Sequence, residues 1–231
     1  MMGRGSLWGT KGAYSIEAER AYYAASSKDR RAVPYAHLDP YIRGSVGLEY
    51  FRGKSVLDLG CGEGVYSAWI ADRGGASRVH GVELTGHRIR WDYQDCLPNL
   101  RFEVGNLLER EPAGEKFDIV FFNLVLHHVR FALPRVAEIA GNALKPGGAF
   151  LAFEPNVYSP VAVLLHLVHS RSANEGFLSP RSIGRALEAS GLGDVSVGYF
   201  WRDRAWARNP LLASSFWISA KKPGPAAGSP K

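Results

Sequence analysis

The chain has 231 residues, 46% of them hydrophobic and 22% charged, the balance of a soluble domain long enough to bury one sizeable core. Its two cysteines, Cys61 and Cys96, exclude a disulfide framework and stand in no CxxC or Cys/His cluster with metal-ligand spacing. The net charge of +6 comes partly from the ends (Arg4, Lys11, Lys221, Lys222, Lys231) and otherwise from scattered arginines, which reads as a solvated basic surface and disfavours a nucleic-acid partner.

No stretch approaches the roughly 18 apolar residues of a membrane span, and the start, MMGRGSLWGTKG, lacks a signal-peptide core. With the cysteine usage, this predicts a cytoplasmic protein without a membrane span. Residues 1–14 and 221–231 are Gly/Pro/Ser-rich and are expected to be flexible ends around a single domain at 15–220. Residues 15–27, SIEAERAYYAASS, have the pattern of an amphipathic helix opened by a Ser cap, and a second helix is expected around 41–51.

From Ser55 the pattern becomes regular. Strand-like runs at 55–59, 78–83, 100–104, 117–122 and 148–153 alternate with helical stretches at about 63–73, 86–96 and 130–144. Such alternation predicts an α/β, doubly wound, mostly parallel sheet with helices on both faces. A helix at 180–190, with Ser179 as cap and Pro180 in its first turn, precedes two strands at 194–200 and 214–220. Nothing between those two looks like a crossover helix, so they form an antiparallel hairpin at the C-terminal sheet edge, for seven strands in all.

VLDLGCGEG, residues 56–64, places Gly60, Gly62 and Gly64 where the first strand turns into a helix. In a doubly wound sheet, ligands bind beyond the carboxyl ends of the strands, and glycines there let backbone N–H groups come close. The dinucleotide fingerprint would need glycine at 65, which is Val65, and no Lys of a phosphate-binding loop is present. Glu83 ends the second strand, 19 residues past Gly64, where a carboxylate can accept both ribose hydroxyls.

VLDLGCGEG resembles the first motif of the class I S-adenosylmethionine-dependent methyltransferases. RVHGVEL, FEVGNLLE, FDIVFFNLVLHHV and LKPGGAFLAFEPN resemble the family's next segments, in order, over residues 54–220. The resemblance implies a Rossmann-like fold, S-adenosyl-L-methionine as cofactor, and a role for each matching position. Asp58 would neutralise the methionine ammonium, directly or through water, while Gly60, Cys61 and Gly62 line the amino-acid and ribose portion, with Cys61 a packing residue. Glu83 would hold the ribose hydroxyls and Leu84 pack on adenine. Asn106 replaces the usual Asp at the adenine amino group, with its amide oxygen as acceptor, and Leu107 adds a backbone N–H and an apolar wall. Asn123 and Leu124 would face the reactive methyl.

The sulfonium already activates the methyl, so placement and water exclusion are the main requirements. A histidine near the fourth strand's end can take a proton from a hydroxyl or amine acceptor, which makes His128, then His127, the candidate bases. Acceptor contacts are expected from Tyr22 and Tyr23, within an N-terminal cover at 15–52, and from Glu154, Asn156 and Tyr158, at the start of an insertion at 155–178. The apolar stretch VAVLLHLVHS there is either core packing or a lid that favours a lipid-, quinone- or natural-product-like acceptor. His166 and His169 lack a carboxylate partner, so no metal is expected, and Trp201, Trp206 and Trp217 read as packing aromatics. The expected function is methyl transfer to a small, hydrophobic or biosynthetic acceptor. Rivals are an RNA or protein acceptor and a non-catalytic cofactor-binding subunit; an oligomeric state is not assigned.

Overall fold

Ser55–Leu59 (β1) is buried at all five positions, as a strand covered on both faces must be. The computed structural model describes residues 35–109, 114–160, 162–164 and 176–224. In it, β1 is central to a seven-stranded sheet with Arg78–Glu83 (β2), Leu100–Val104 (β3), Phe117–Asn123 (β4), Leu144–Pro155 (β5), Gly193–Phe200 (β6) and Ser215–Lys221 (β7). The order is β3-β2-β1-β4-β5-β7-β6. The first five strands pair in parallel, and β7 lies antiparallel between β5 and β6. The chain runs outward from β1 to β3 and returns to β4, so the order reverses between β1 and β4.

Alternation along the strands builds two cores. Val120 and Phe122 of β4 and Phe150 and Ala152 of β5 pack on one face with Leu133–Ala143 (α4) and Pro180–Ala189 (α5). Ile119, Phe121, Leu151 and Phe153 point to the other face, against Asp39–Ser45 (α1), Val65–Ala71 (α2) and Trp91–Cys96 (α3). Ser179 caps α5 by accepting from the Ser182 N–H at 3.1 Å, and Pro180 opens the helix as expected.

Two helices are shorter than the sequence pattern indicates. The one expected at 41–51 stops at Ser45, whose hydroxyl donates back to the Tyr41 and Ile42 carbonyls, while the Gly47 N–H closes on Ile42 O at 2.8 Å. The one expected at 86–96 begins only at Trp91, because Arg88 and Ile89 bond back to Thr85 and Gly86 in tight turns. Strand β5 is longer than expected, with a register shift opposite Phe117/Ile119 that absorbs the Pro146-Gly147-Gly148 bend. The helix expected at 15–27, Tyr22, Tyr23, His166, His169 and most of the VAVLLHLVHS stretch lie outside the described residues.

Candidate functional site

Gly60, Gly62 and Gly64 all adopt positive φ (+78°, +60° and +78°), the left-handed region that other residues enter at a cost. Two of them also permit close packing. A Cβ on Gly60 would lie 2.6 Å from Val125 Cγ2, and one on Gly64 would lie 2.3 Å from Phe102 Cζ. Gly60 and Cys61 donate their N–H groups to Val82 O at 2.8 and 3.1 Å, and the Gly62 N–H donates to Glu83 Oε2 at 2.9 Å. The glycine turn and the end of β2 therefore form one unit.

A cleft of about 320 Å³ opens over the carboxyl ends of β1 to β4, at the reversal of strand order. Gly60, Cys61, Gly62, Glu83, Leu84, Asn106, Leu107, Asn123, Leu124 and His128 all line it. Three residues without a spacing signal in the sequence join them: Tyr66 in the first turn of α2, Arg88 after β2, and Val129. Arg88 Nη1 stands 3.8 Å from Glu83 Oε1. Tyr66 could have been anticipated, since the first turn of a helix that follows such a glycine turn borders the same space.

Asp58 is off the cleft wall, buried in β1. Its Oδ2 accepts the Ser67 hydroxyl at 2.5 Å, and its Oδ1 has no partner among the described residues. Burial pushes its pKa up to about 7 against the effect of Ser67, and the Glu83 charge adds to the rise. Burial also pushes the Cys61 thiol up, with Asp58 and Glu83 in the same sense, leaving a neutral packing thiol. These residues fit S-adenosylmethionine. Asp58 would supply the anion for the ammonium, directly or through water, Glu83 would accept from the ribose, and the bare glycine turn would allow the close approach between them.

A pH dependence follows. If the ammonium pairs with ionised Asp58, a proton must leave on binding below about pH 7, and affinity for S-adenosylhomocysteine should fall by up to about tenfold per pH unit. Above that it should level off. In the free protein the same raised pKa makes ionised Asp58 a cost to folding that grows as pH climbs from the ordinary carboxylate range to about 7. Calorimetric titration from pH 5.5 to 8.5 should show this profile in wild type and a flat one in Asp58→Asn; a flat wild-type profile contradicts the ion pair.

After β4 the backbone is strained. Leu124 has φ +57° and is held by its N–H to Phe153 O at 2.9 Å. Glu154, fully buried, accepts the Val125 and Leu126 N–H groups on Oε1 at 2.9 and 2.8 Å and pairs through Oε2 with His127 Nδ1 at 2.7 Å. The His127 and His128 rings pack with centroids 4.2 Å apart.

These contacts redirect several sequence expectations. Glu154 does not face an acceptor, because both oxygens are committed to the loop that carries the histidines. His127 is buried against Glu154, off the cleft, which leaves His128 as the histidine on the wall. Asn156 is also buried, its Nδ2 donating to Pro210 O and Ala213 O at 2.6 and 2.9 Å and its Oδ1 accepting from Tyr158 N, so it ties two loops together. Tyr158 is exposed beside Tyr199 rather than on the cleft. Among the described residues no group of three or more His, Cys, Asp or Glu is arranged to hold a metal, and no helix is long and apolar enough to cross a membrane.

The fold and this cleft define an S-adenosylmethionine-dependent methyltransferase of class I. The chain belongs to the methyltransferase domain family, whose model matches residues 35–197. It is 27% identical over 196 residues to a ubiquinone biosynthesis O-methyltransferase of Methylobacterium sp. (strain 4-46), spanning 78% of each chain. It is 28% identical over 160 residues to a protein of the same name from Idiomarina loihiensis, spanning 63% of this chain and 64% of that one. The fold matches that of a DhpI–SAH complex with a TM-score of 0.62 at 23% identity, over 91% of this chain and 97% of that one.

Proposed function

We propose that this methyltransferase acts on a hydroxyl of a small, hydrophobic acceptor of the phenol or quinol kind. The observation that carries the reading is His128 on the cleft wall together with Tyr66, Leu124, Val125 and Val129, an imidazole that can accept a proton beside apolar side chains. The O-methyltransferase relatives point the same way.

S-adenosylmethionine supplies an electrophilic methyl on a sulfonium. The chain's own residues then have three tasks. Asp58, Glu83 and the glycine turn hold the two ends of the cofactor, fixing where the methyl points. Leu124, Val125 and Val129 exclude water from that point. His128 would take the hydroxyl proton as the acceptor oxygen bonds the methyl carbon and the carbon–sulfur bond breaks to leave S-adenosylhomocysteine, and its ring packs on His127, itself held by Glu154.

Transfer of a labelled methyl to catechols and quinols, carboxylic acids, amines and RNA separates the readings. Turnover is expected with the phenolic acceptors, and His128→Ala should lower it by about 10²- to 10⁴-fold, the usual worth of a positioned base, while leaving S-adenosylhomocysteine affinity nearly intact. Transfer confined to amines, carboxylates or RNA would overturn the acceptor class.

A further inference from the structure

The large apolar side chains that stay exposed gather at one end of the molecule. Among the described residues there are nine, and all but Val197 lie at or past the carboxyl ends of strands, the end at which the cleft opens. Val104 ends β3 beside Gly86, to whose carbonyl the Trp91 indole donates at 3.1 Å. Leu124 and Phe131 follow β4, and Tyr158 and Leu164 follow β5. Leu211 and Leu212, 60% and 50% exposed, belong to the loop between β6 and β7. That loop comes to the same end because Ser215 pairs both with Phe200 of β6 and with Pro155, the last residue of β5. Asn156 ties it to the Tyr158 turn through Pro210 O and Ala213 O, so one apolar rim borders the acceptor side of the cleft.

The rim is also cationic. Arg202, Arg204 and Arg208, all exposed, precede Leu211 in the same loop, with a single acid, Asp203, among the described side chains between them. Neither leucine lines the cleft, so cofactor binding does not account for their exposure.

We propose that this rim docks on a lipid bilayer that carries anionic headgroups, the leucines entering the interface and the arginines pairing with phosphates. The mixture decides the occupant. A second copy laid on this face by a two-fold axis would bring like charges together, and nucleic acid offers nothing that buries two leucines. A bilayer meets both needs. It would also set the cleft mouth against the phase that holds a hydrophobic acceptor, and that last point alone rests on the acceptor reading above.

The test is sedimentation of the full chain with vesicles of phosphatidylcholine alone, and of phosphatidylcholine and phosphatidylglycerol in equal parts. It compares wild type with Leu211→Ser plus Leu212→Ser and with Arg204→Gln plus Arg208→Gln. Wild type should prefer the anionic vesicles by more than about tenfold and be released by high salt. The arginine changes should weaken anionic-vesicle binding by about 30-fold and the leucine changes by about tenfold. Both variants should keep wild-type affinity for S-adenosylhomocysteine, which shows that they fold. No binding, equal binding to both vesicles, or binding that both variants retain in full would overturn the proposal. So would a wild-type dimer in solution that either variant splits, because the rim would then belong to a second copy. Anionic-vesicle binding by a protein that turns over no phenolic acceptor would uphold the surface and remove the acceptor reading alone.

Discussion

Replacing Glu154 by alanine should lower the folding free energy by about 3–5 kcal/mol, because it leaves several buried hydrogen-bonding groups without a partner. The side chain is fully buried, and its loss strands three groups at once: the Val125 and Leu126 N–H groups and His127 Nδ1. Each buried donor left without an acceptor costs about 1–3 kcal/mol, so the loss of hydrogen bonding alone reaches the range, before any cavity is counted. It also frees the two residues that follow the strained Leu124. Glu154→Gln keeps an oxygen for the two backbone donors and sacrifices only the bond to His127, so it should cost markedly less. Urea unfolding with an unchanged slope checks both, and an alanine variant within about 1 kcal/mol of wild type would show that the loop holds itself. A loss of 3–5 kcal/mol is a large share of the 5–15 kcal/mol typical of a domain, so activity of this variant should be measured at low temperature.

Glu83→Ala should weaken S-adenosylhomocysteine by about 2 kcal/mol or more, roughly 30-fold, because the ribose hydroxyls lose a charged acceptor. Burial makes that acceptor effective: Glu83 is 4% exposed, so water competes weakly for it. The same carboxylate takes the Gly62 N–H, so the alanine change also loosens the glycine turn, and the loss should exceed that of a ribose contact alone. Thr85 Oγ1, 3.5 Å from Glu83 Oε1, is a weak partner by comparison and should matter little.

The strands were legible because a doubly covered parallel sheet writes itself as short apolar runs: β1, β2 and β3 lie where the residues put them, and the C-terminal hairpin follows from the missing crossover helix. The glycine turn and Glu83 were legible for a local reason, since backbone bareness and a strand-end carboxylate are needed at fixed offsets. Glu154 and Asn156 were misread because polar residues past a strand look exposed in one dimension. Whether they are buried depends on how the Leu124 loop and the 210–213 loop fold over them, and those contacts join positions 27 to 57 residues apart. Asn106 lines the cleft, but the orientation of its amide depends on a single backbone N–H two residues away. The helix at 41–51 was overlong because a hydroxyl at Ser45 can serve the last carbonyls as well as another helical turn would.

The claim beneath all of this is that one adenosyl cofactor lies across β1, β2 and β3 with Glu83 on its ribose. Calorimetric titration of the full chain with S-adenosylmethionine, S-adenosylhomocysteine and NAD, repeated on Glu83→Ala, tests it most directly. The account predicts binding of the first two, none of NAD, and a loss of about 30-fold on substitution. Binding of NAD, or affinities indifferent to the Glu83 change, would contradict it.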